Sequence, residues 1–377
     1  YQSTNVPTYQ STNLPTYQST NVPTYQSTTV PTYRVRVRKK ARYVDTDKCV
    51  GCGLCAAACR LHGRVPSTFD AGVGQRAAIY VPFPQAVPLK YTVDPQACLF
   101  LTRGRCGKTF LCKDACPADA IDFDQQDEFV DLDAAAIIVA TGFDPFDATE
   151  MPEFGYGQYP EVMSGLEFER LVSASGPTAG KITRHGKEPQ EVVFIQCVGS
   201  RDAQHGHAYC SRVCCMYTAK QAHLVCEKLP DAQVTIFYMD VRAFGKGFEE
   251  FYDRVRREGV IYRRGNPSEI IRRGDKLVVR AEDTLLGEPV EVEADLVVLA
   301  IGIQPRADAA QVADLLNLAR SDDGFLQEAH PKLRPVDTKM DGIYLAGCCQ
   351  SPKDIPDTVA QAKAAAAAAM IRLAKAG

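Results

Sequence analysis

Eight cysteines between residues 49 and 116 have the type and spacing to hold iron and sulfide. They open with Cys49-x2-Cys52-x2-Cys55-x3-Cys59 and continue with Cys98, Cys106, Cys112 and Cys116, the last followed by Pro117. Soft thiolates this close together suit iron–sulfur clusters. In two-cluster ferredoxins the fourth cysteine of such a run crosses to the other cluster. The spacing therefore assigns Cys49, Cys52, Cys55 and Cys116 to one cluster, and Cys59, Cys98, Cys106 and Cys112 to a second. Gly51 and Gly53 are expected where the loop comes nearest the inorganic core. Four cysteines also suit zinc, which stays open as the alternative metal. The second set is irregular, with five residues between Cys106 and Cys112.

A third group comprises Cys197, Cys210, Cys214 and Cys215. Cys197 ends an apolar run, Glu191–Cys197, that reads as a strand, and the other three fall at the start of the following helix. Open α/β sheets place ligands at such strand ends, and helix N-termini favour anions. An iron–sulfur cluster, a zinc site sharing His205 or His207, and a purely structural group of thiols all fit these residues. Lys220 would bring an ammonium close to whatever lies over that helix.

Two weaker signals concern a flavin. Ala140-Thr141-Gly142 and Ala346-Gly347 each follow an apolar strand, as in flavoproteins of the disulfide-reductase architecture. The segment from Ser351 through Asp354, Asp357 and Thr358 then leads into a helix whose N-terminus can meet a flavin's polar edge. The dinucleotide fingerprint is missing. Gly72-x-Gly74-x-x-Ala77 matches G-x-G-x-x-A but sits between the cysteine sets, outside a strand–helix junction, and is rejected.

These residues need elements to position them. Strands expected at 136–142, 191–197, 234–239, 296–301 and 342–347 alternate with helices expected at 211–228, 248–258 and 357–375, which predicts a doubly wound α/β architecture. Alternating Arg34, Val35, Arg36, Val37 and Arg38 predict an earlier strand, and the basic run through Lys39, Lys40 and Arg42 reads as its solvated face. Residues 1–32 are four near-identical octads with a proline in each and no charge, a composition that predicts disorder.

The chain has 377 residues, room for two or three domains. Its formal net charge of −3 argues against general binding to nucleic acid or membrane surfaces. No apolar run suggests a membrane span, and no secretory signal is evident. Fifteen cysteines, an odd number in tight clusters, predict metal ligation in a reducing cytoplasm rather than disulfides.

From Arg38 onward the chain resembles the A-type iron–sulfur flavoproteins of heterodisulfide reductase and their relatives, including the homologous component of the quinone-interacting membrane-bound oxidoreductase. The resemblance rests on RKKARYVD (38–45), AIYVPFPQAVP (78–88), AIIVATGFD (136–144), FIQCVGSRD (194–202), YCSRVCCMYTAK (209–220), FYMDVRAFGKGFEEFYDR (237–254) and GIYLAGCCQSPKDIPDTVAQA (342–362). It implies a thioredoxin-reductase-like flavoprotein carrying an inserted α+β ferredoxin domain with two [4Fe-4S] clusters. It also implies FAD, a third [4Fe-4S] cluster at Cys197, Cys210, Cys214 and Cys215, and a flavin-tuning role for Lys220. Cys348 stands where many relatives of this architecture have an Asp. Implied partners are heterodisulfide reductase B/C-like subunits and hydrogenase- or dehydrogenase-type electron donors.

The expected division is a disordered repeat (1–33), the ferredoxin-type insert with its strand (34–127), a partial FAD-binding domain (128–190 with 331–377) and a degenerate pyridine-nucleotide-type domain (191–330). The family's G-x-G-x-x-G half would precede Arg38 and is not seen here. Competing expectations are then a redox subunit that needs a partner, a flavin-free electron-transfer module, or a non-functional gene fragment.

Overall fold

A computed structural model describes residues 32–107, 109–183 and 186–376. The disorder expected over residues 1–33 lies outside the described residues, except that Tyr33 opens a strand.

That strand, Tyr33–Lys39, pairs antiparallel with Glu128–Ala134. The register sets Arg36 against Asp131, joined by two hydrogen bonds at 2.8 and 3.0 Å, and Lys39 against Glu128 at 3.2 Å. Exposed charge pairs of this kind fix register more than they stabilise. The two strands form an arm that leads into the cysteine module and back, so it straddles the boundary expected at residue 127.

The module between the strands is built from short pieces around its cysteines. Val44, Ala78, Ile79, Val93, Ala120 and Ile121 bury against Cys49, Cys55 and Cys98. Among helices of four or five residues, Leu54–Ala57 carries Cys55, Leu111–Asp114 carries Cys112, and Cys98 stands at the N-cap of Leu99–Arg103. Gly72 and Gly74 lie in a turn between the strands Val65–Pro66 and Gln75–Arg76, where the Gly72 amide donates to Ser67 O at 2.9 Å. A hairpin turn is no dinucleotide loop. The turn instead docks the module: Arg170 Nε donates to Asp70 Oδ1 at 3.0 Å, and the guanidinium lies over the Phe69 ring.

The larger portion is centred on a five-stranded parallel sheet in the order Ile261–Arg264, Gln233–Tyr238, Glu191–Val198, Leu296–Ile301, Val162–Ser164. Side chains alternate across a strand, and here both faces are covered. Val192 and Phe194 pack under the helices Gly165–Val172, Cys214–Lys228 and Phe248–Arg257. Val193 and Ile195 pack against the antiparallel meander Glu269–Arg273, Lys276–Asp283 and Glu288–Ala294. Strand–helix alternation predicted the α/β class; the meander on the second face it did not reveal.

A parallel strand pair, Ile137–Val139 with Ile343–Leu345, supports the long C-terminal helix Ile355–Ala376. Arg372 in that helix donates to Ala135 O at 2.7 Å and to the Asp341 carboxylate, closing the helix over the pair. Among the described residues, no helix is long and apolar enough to cross a membrane.

Candidate functional site

The eight cysteines of the module sort into two rings. One cavity is lined by Cys49, Cys52, Cys55 and Cys116, the other by Cys59, Cys98, Cys106 and Cys112. The crossing read from the spacing, with Cys116 and Cys59 exchanging sides, is the arrangement of the folded chain. Electrostatics reflect the same grouping. Burial first, then Cys116, Cys49 and Cys52, push the Cys55 thiol up to about 12. Burial first, then Cys59 and Cys98, push Cys112 up to about 11. Four thiols in an apolar ring resist ionising next to one another, and a cationic core held there would supply the charge that relieves them.

Backbone geometry serves the first ring. Gly51 has φ +75°, and a Cβ there would lie 2.6 Å from Leu89 O. Gly53, at φ +84°, begins the short helix carrying Cys55. The Ala120 amide points at Cys116 Sγ at 3.4 Å. In the second ring, the irregular Cys106–Cys112 spacing has a packing role. Phe110 sits edge-on to Phe100 at 4.7 Å and near Phe123 at 5.7 Å, which walls the cavity with aromatic rings.

The third group lies at the carboxyl end of the central parallel strand. Cys197 itself has φ +62°, in the left-handed region that a side chain disfavours. A register shift between Ile195 and Val198 produces this turn, and strain held at one residue marks functional ground. Cys214 and Cys215 open the helix behind it, with Cys215 Sγ 3.5 Å from Gln196 Oε1 and Cys214 Sγ 3.8 Å from Ile301 O. The Arg212 amide donates to Cys210 Sγ at 3.3 Å. Burial, then the charge of Cys215, pushes Cys197 up to about 12 against the pull of Arg201. Burial, then Cys197, Cys215 and Cys210, raises Cys214.

Residues here fit an inorganic cluster. Gln196 is buried and its Nε2 has no hydrogen-bond partner among the described residues, so the side chain whose Oε1 lies 3.5 Å from Cys215 Sγ keeps a donor with its acceptor unassigned. The histidines considered for a mixed zinc site have other neighbours. His205 Nδ1 bonds Asp202 Oδ2 at 2.7 Å, and His207 packs edge-on to Phe146 and Tyr209. Among the described residues, no group of three or more His, Cys, Asp or Glu side chains is gathered to hold a single metal ion.

The residues expected to meet a flavin come together at adjacent strand ends. Ala140, Thr141 and Gly142 follow one strand of the parallel pair, Gly347 and Cys348 follow the other, and Ala346 N bonds Val139 O at 3.0 Å. Gly347 has φ +78°; a Cβ there would reach Thr358 Cγ2 at 3.4 Å, so backbone and helix meet closely. Asp354 Oδ1 caps the helix by accepting from Asp357 N at 2.9 Å. Asp357 is also held by Arg212, Nη2 to Oδ2 at 2.8 Å. Arg212 lies between Cys210 and Cys214, so one side chain ties the third cysteine segment to the helix Ile355–Ala376. Sequence reading missed this link because 145 residues separate its ends. It missed equally that Lys220 pairs with Glu169 on the neighbouring helix.

The model of the pyridine nucleotide-disulphide oxidoreductase family matches residues 112–369, and that of the 4Fe-4S binding domain matches residues 42–60. The first implies FAD and the second a 4Fe-4S cluster. The chain is 50% identical over 346 residues to the A component of the H(2):CoB-CoM heterodisulfide,ferredoxin reductase of Methanothermobacter thermautotrophicus, covering 91% of this chain and 51% of that protein. It is 54% identical over 345 residues to the second iron–sulfur A component of the CoB--CoM heterodisulfide reductase of Methanopyrus kandleri, covering 90% of this chain and 51% of the relative. The chain thus spans about half the length of these curated relatives. Among solved structures, Lactococcus lactis thioredoxin reductase overlays at a TM-score of 0.41 with 15% identity, covering 79% of this chain and 85% of that one. With a family model matched over about two-thirds of its length, this chain belongs to the pyridine nucleotide-disulphide oxidoreductase family.

Proposed function

We propose that this chain is the iron–sulfur flavoprotein portion of a heterodisulfide-reductase-A-like redox subunit. It holds two [4Fe-4S] clusters in the module, a third at Cys197, Cys210, Cys214 and Cys215, and one side of an FAD on the platform formed by Ala140, Thr141, Gly142, Gly347 and Cys348. When bound, clusters exchange single electrons and FAD joins one- and two-electron chemistry. The protein's share is to hold these groups near one another and set their charge environment. The observations that carry the reading are the two cavities of the module, each lined by four cysteines, and the electrostatic influence of Cys197, Cys210 and Cys215 on Cys214, with Arg212 joining that segment to the helix that begins at Ile355.

In this reading Lys220 supplies positive charge toward the flavin and Glu169 moderates it. The division at residues 34–127, 191–330 and the flanking flavin segments is the working domain scheme. Asp354, Asp357 and Thr358 form the helix entrance by the flavin, where the Asp357 carboxylate is partly neutralised by Arg212. Partners are other redox subunits of the B/C-like and hydrogenase- or dehydrogenase-type classes, in a reducing cytoplasm, with neither nucleic acid nor membrane insertion involved.

Anaerobic purification with iron, zinc and flavin analysis tests the proposal. About twelve irons per chain and flavin absorption support it. About eight irons without flavin reduce the protein to an electron-transfer module. Zinc with negligible iron overturns both.

A further inference from the structure

Gln196 interrupts the apolar run of the central strand Glu191–Val198, yet only 2% of its surface is exposed. A buried amide costs free energy unless its donors and acceptor are met, so an apolar side chain of similar size would serve the fold better. This amide is half served. Its Oε1 accepts from the Cys215 thiol at 3.5 Å, while its Nε2 has no hydrogen-bond partner among the described residues. The register shift between Ile195 and Val198 sets the side chain beside the turn that holds Cys197 at φ +62°.

Other donors around the third cysteine group are engaged. The Arg212 amide donates to Cys210 Sγ at 3.3 Å. Arg201 Nη1 and Arg242 Nε both donate to Asp240 Oδ1, at 2.8 and 3.1 Å. The Tyr217 hydroxyl donates to Ile301 O at 3.0 Å. Gln196 keeps a donor in reserve, bonded to the same carbon as the oxygen that meets Cys215.

A thiolate bound to iron has no proton to give. The contact between Cys215 and Oε1 would then set one acceptor against another. The last torsion of a glutamine side chain is broad and two-fold, so a half-turn exchanges its oxygen and nitrogen at small cost. That turn brings Nε2 to where Oε1 now lies, 3.5 Å from Cys215 Sγ. The carbonyl takes the nitrogen's former place, and an under-met carbonyl is tolerated better than an orphaned N–H.

We infer that Gln196 is a positioning residue of the third iron–sulfur centre, whose side-chain amide donates a hydrogen bond to the Cys215 thiolate and raises the centre's reduction potential. The inference rests on the cluster reading of Cys197, Cys210, Cys214 and Cys215. Hydrogen bonds to the sulfurs help set a cluster's potential, because they favour the more negative, reduced state. Burial strengthens such a bond, since water does not compete for the donor.

The test is anaerobic potentiometry of the full chain with its clusters, read by low-temperature EPR, with the third centre's signal identified by its loss in Cys197→Ala. Gln196→Met keeps the length of the side chain and removes the donor. At the midpoint of the unaltered third centre, the variant's ratio of reduced to oxidised centre falls about tenfold, a midpoint about 59 mV more negative for one electron. The module's two signals keep their midpoints, and iron stays at about twelve per chain. Gln233→Met, at an exposed glutamine opening the neighbouring strand, leaves the ratio within about twofold. A second readout needs no variant. In the unaltered chain made with glutamine carrying nitrogen-15 in its side-chain amide, pulsed EPR of the reduced third centre shows a coupling to that nitrogen. Should Gln196→Met fail to keep the centre, the label alone decides. An unchanged midpoint in Gln196→Met, or no coupling in the labelled chain, overturns the hydrogen bond and leaves the cluster reading standing. An unaltered chain with about eight irons and no signal dependent on Cys197 instead fails the cluster reading, and this inference with it.

Discussion

Replacing Cys197 by alanine and by glycine separates its two roles. The residue is held at φ +62° by the register shift between Ile195 and Val198. The left-handed conformation costs a residue with a Cβ about 1–2 kcal/mol. At an ordinary position alanine is more stable than glycine by about 0.4–1 kcal/mol, because it narrows the unfolded ensemble. At Cys197 the first term exceeds the second, so the glycine variant should be the more stable by about 0.5–1 kcal/mol. Both variants lose the same sulfur, so their comparison isolates the backbone. Urea denaturation under anaerobic conditions measures it as a difference in midpoint at equal slope. Iron analysis reads the other role: each variant should fall from about twelve irons to about eight. An alanine variant as stable as the glycine variant would refute the claim that the fold forces this turn. Unchanged iron would refute Cys197 as a ligand.

Three further outcomes follow from the same geometry. Cys116→Ala should remove the cluster of Cys49, Cys52 and Cys55 while leaving that of Cys98, Cys106 and Cys112, despite its place in the second set; low-temperature EPR of the reduced variant identifies the survivor. Gly51→Ala combines φ +75° with a Cβ 2.6 Å from Leu89 O, so it should lose about four irons and at least about 1–2 kcal/mol of stability in the same denaturation assay. Cys226→Ala should retain all iron, since Cys226 packs against the helix-side core outside the three groups; a loss of about four irons would show the grouping to be wrong.

The grouping of Cys49, Cys52 and Cys55 was legible because their two-residue spacing is a local property, and the crossing of Cys59 and Cys116 was legible from the two-cluster ferredoxin pattern. The strand-end position of Cys197 was legible too, since Glu191–Val198 is largely apolar, as a strand buried on both faces must be. Its left-handed φ was not, because the turn arises from pairing with Leu296–Ile301, far away in the chain. The same limit hid Glu169 beside Lys220 and Asp357 beside Arg212, contacts made by the packing of helices distant in sequence. In sequence the five residues between Cys106 and Cys112 showed only as an irregular spacing, and the role of Phe110 among them emerged only with Phe100 and Phe123 around it. The arm strand Glu128–Ala134 alternates in sequence as its partner does, and could have been found by the same period-two reading.

The most direct test of the central claim is the number of electrons the reconstituted chain accepts in an anaerobic dithionite titration followed by its visible spectrum. Three clusters alone should take up about three electrons per chain, and about five if FAD is bound as well. Uptake of about two electrons, unaltered in Cys197→Ala, would leave only the ferredoxin-type module and contradict a third redox centre at the sheet edge.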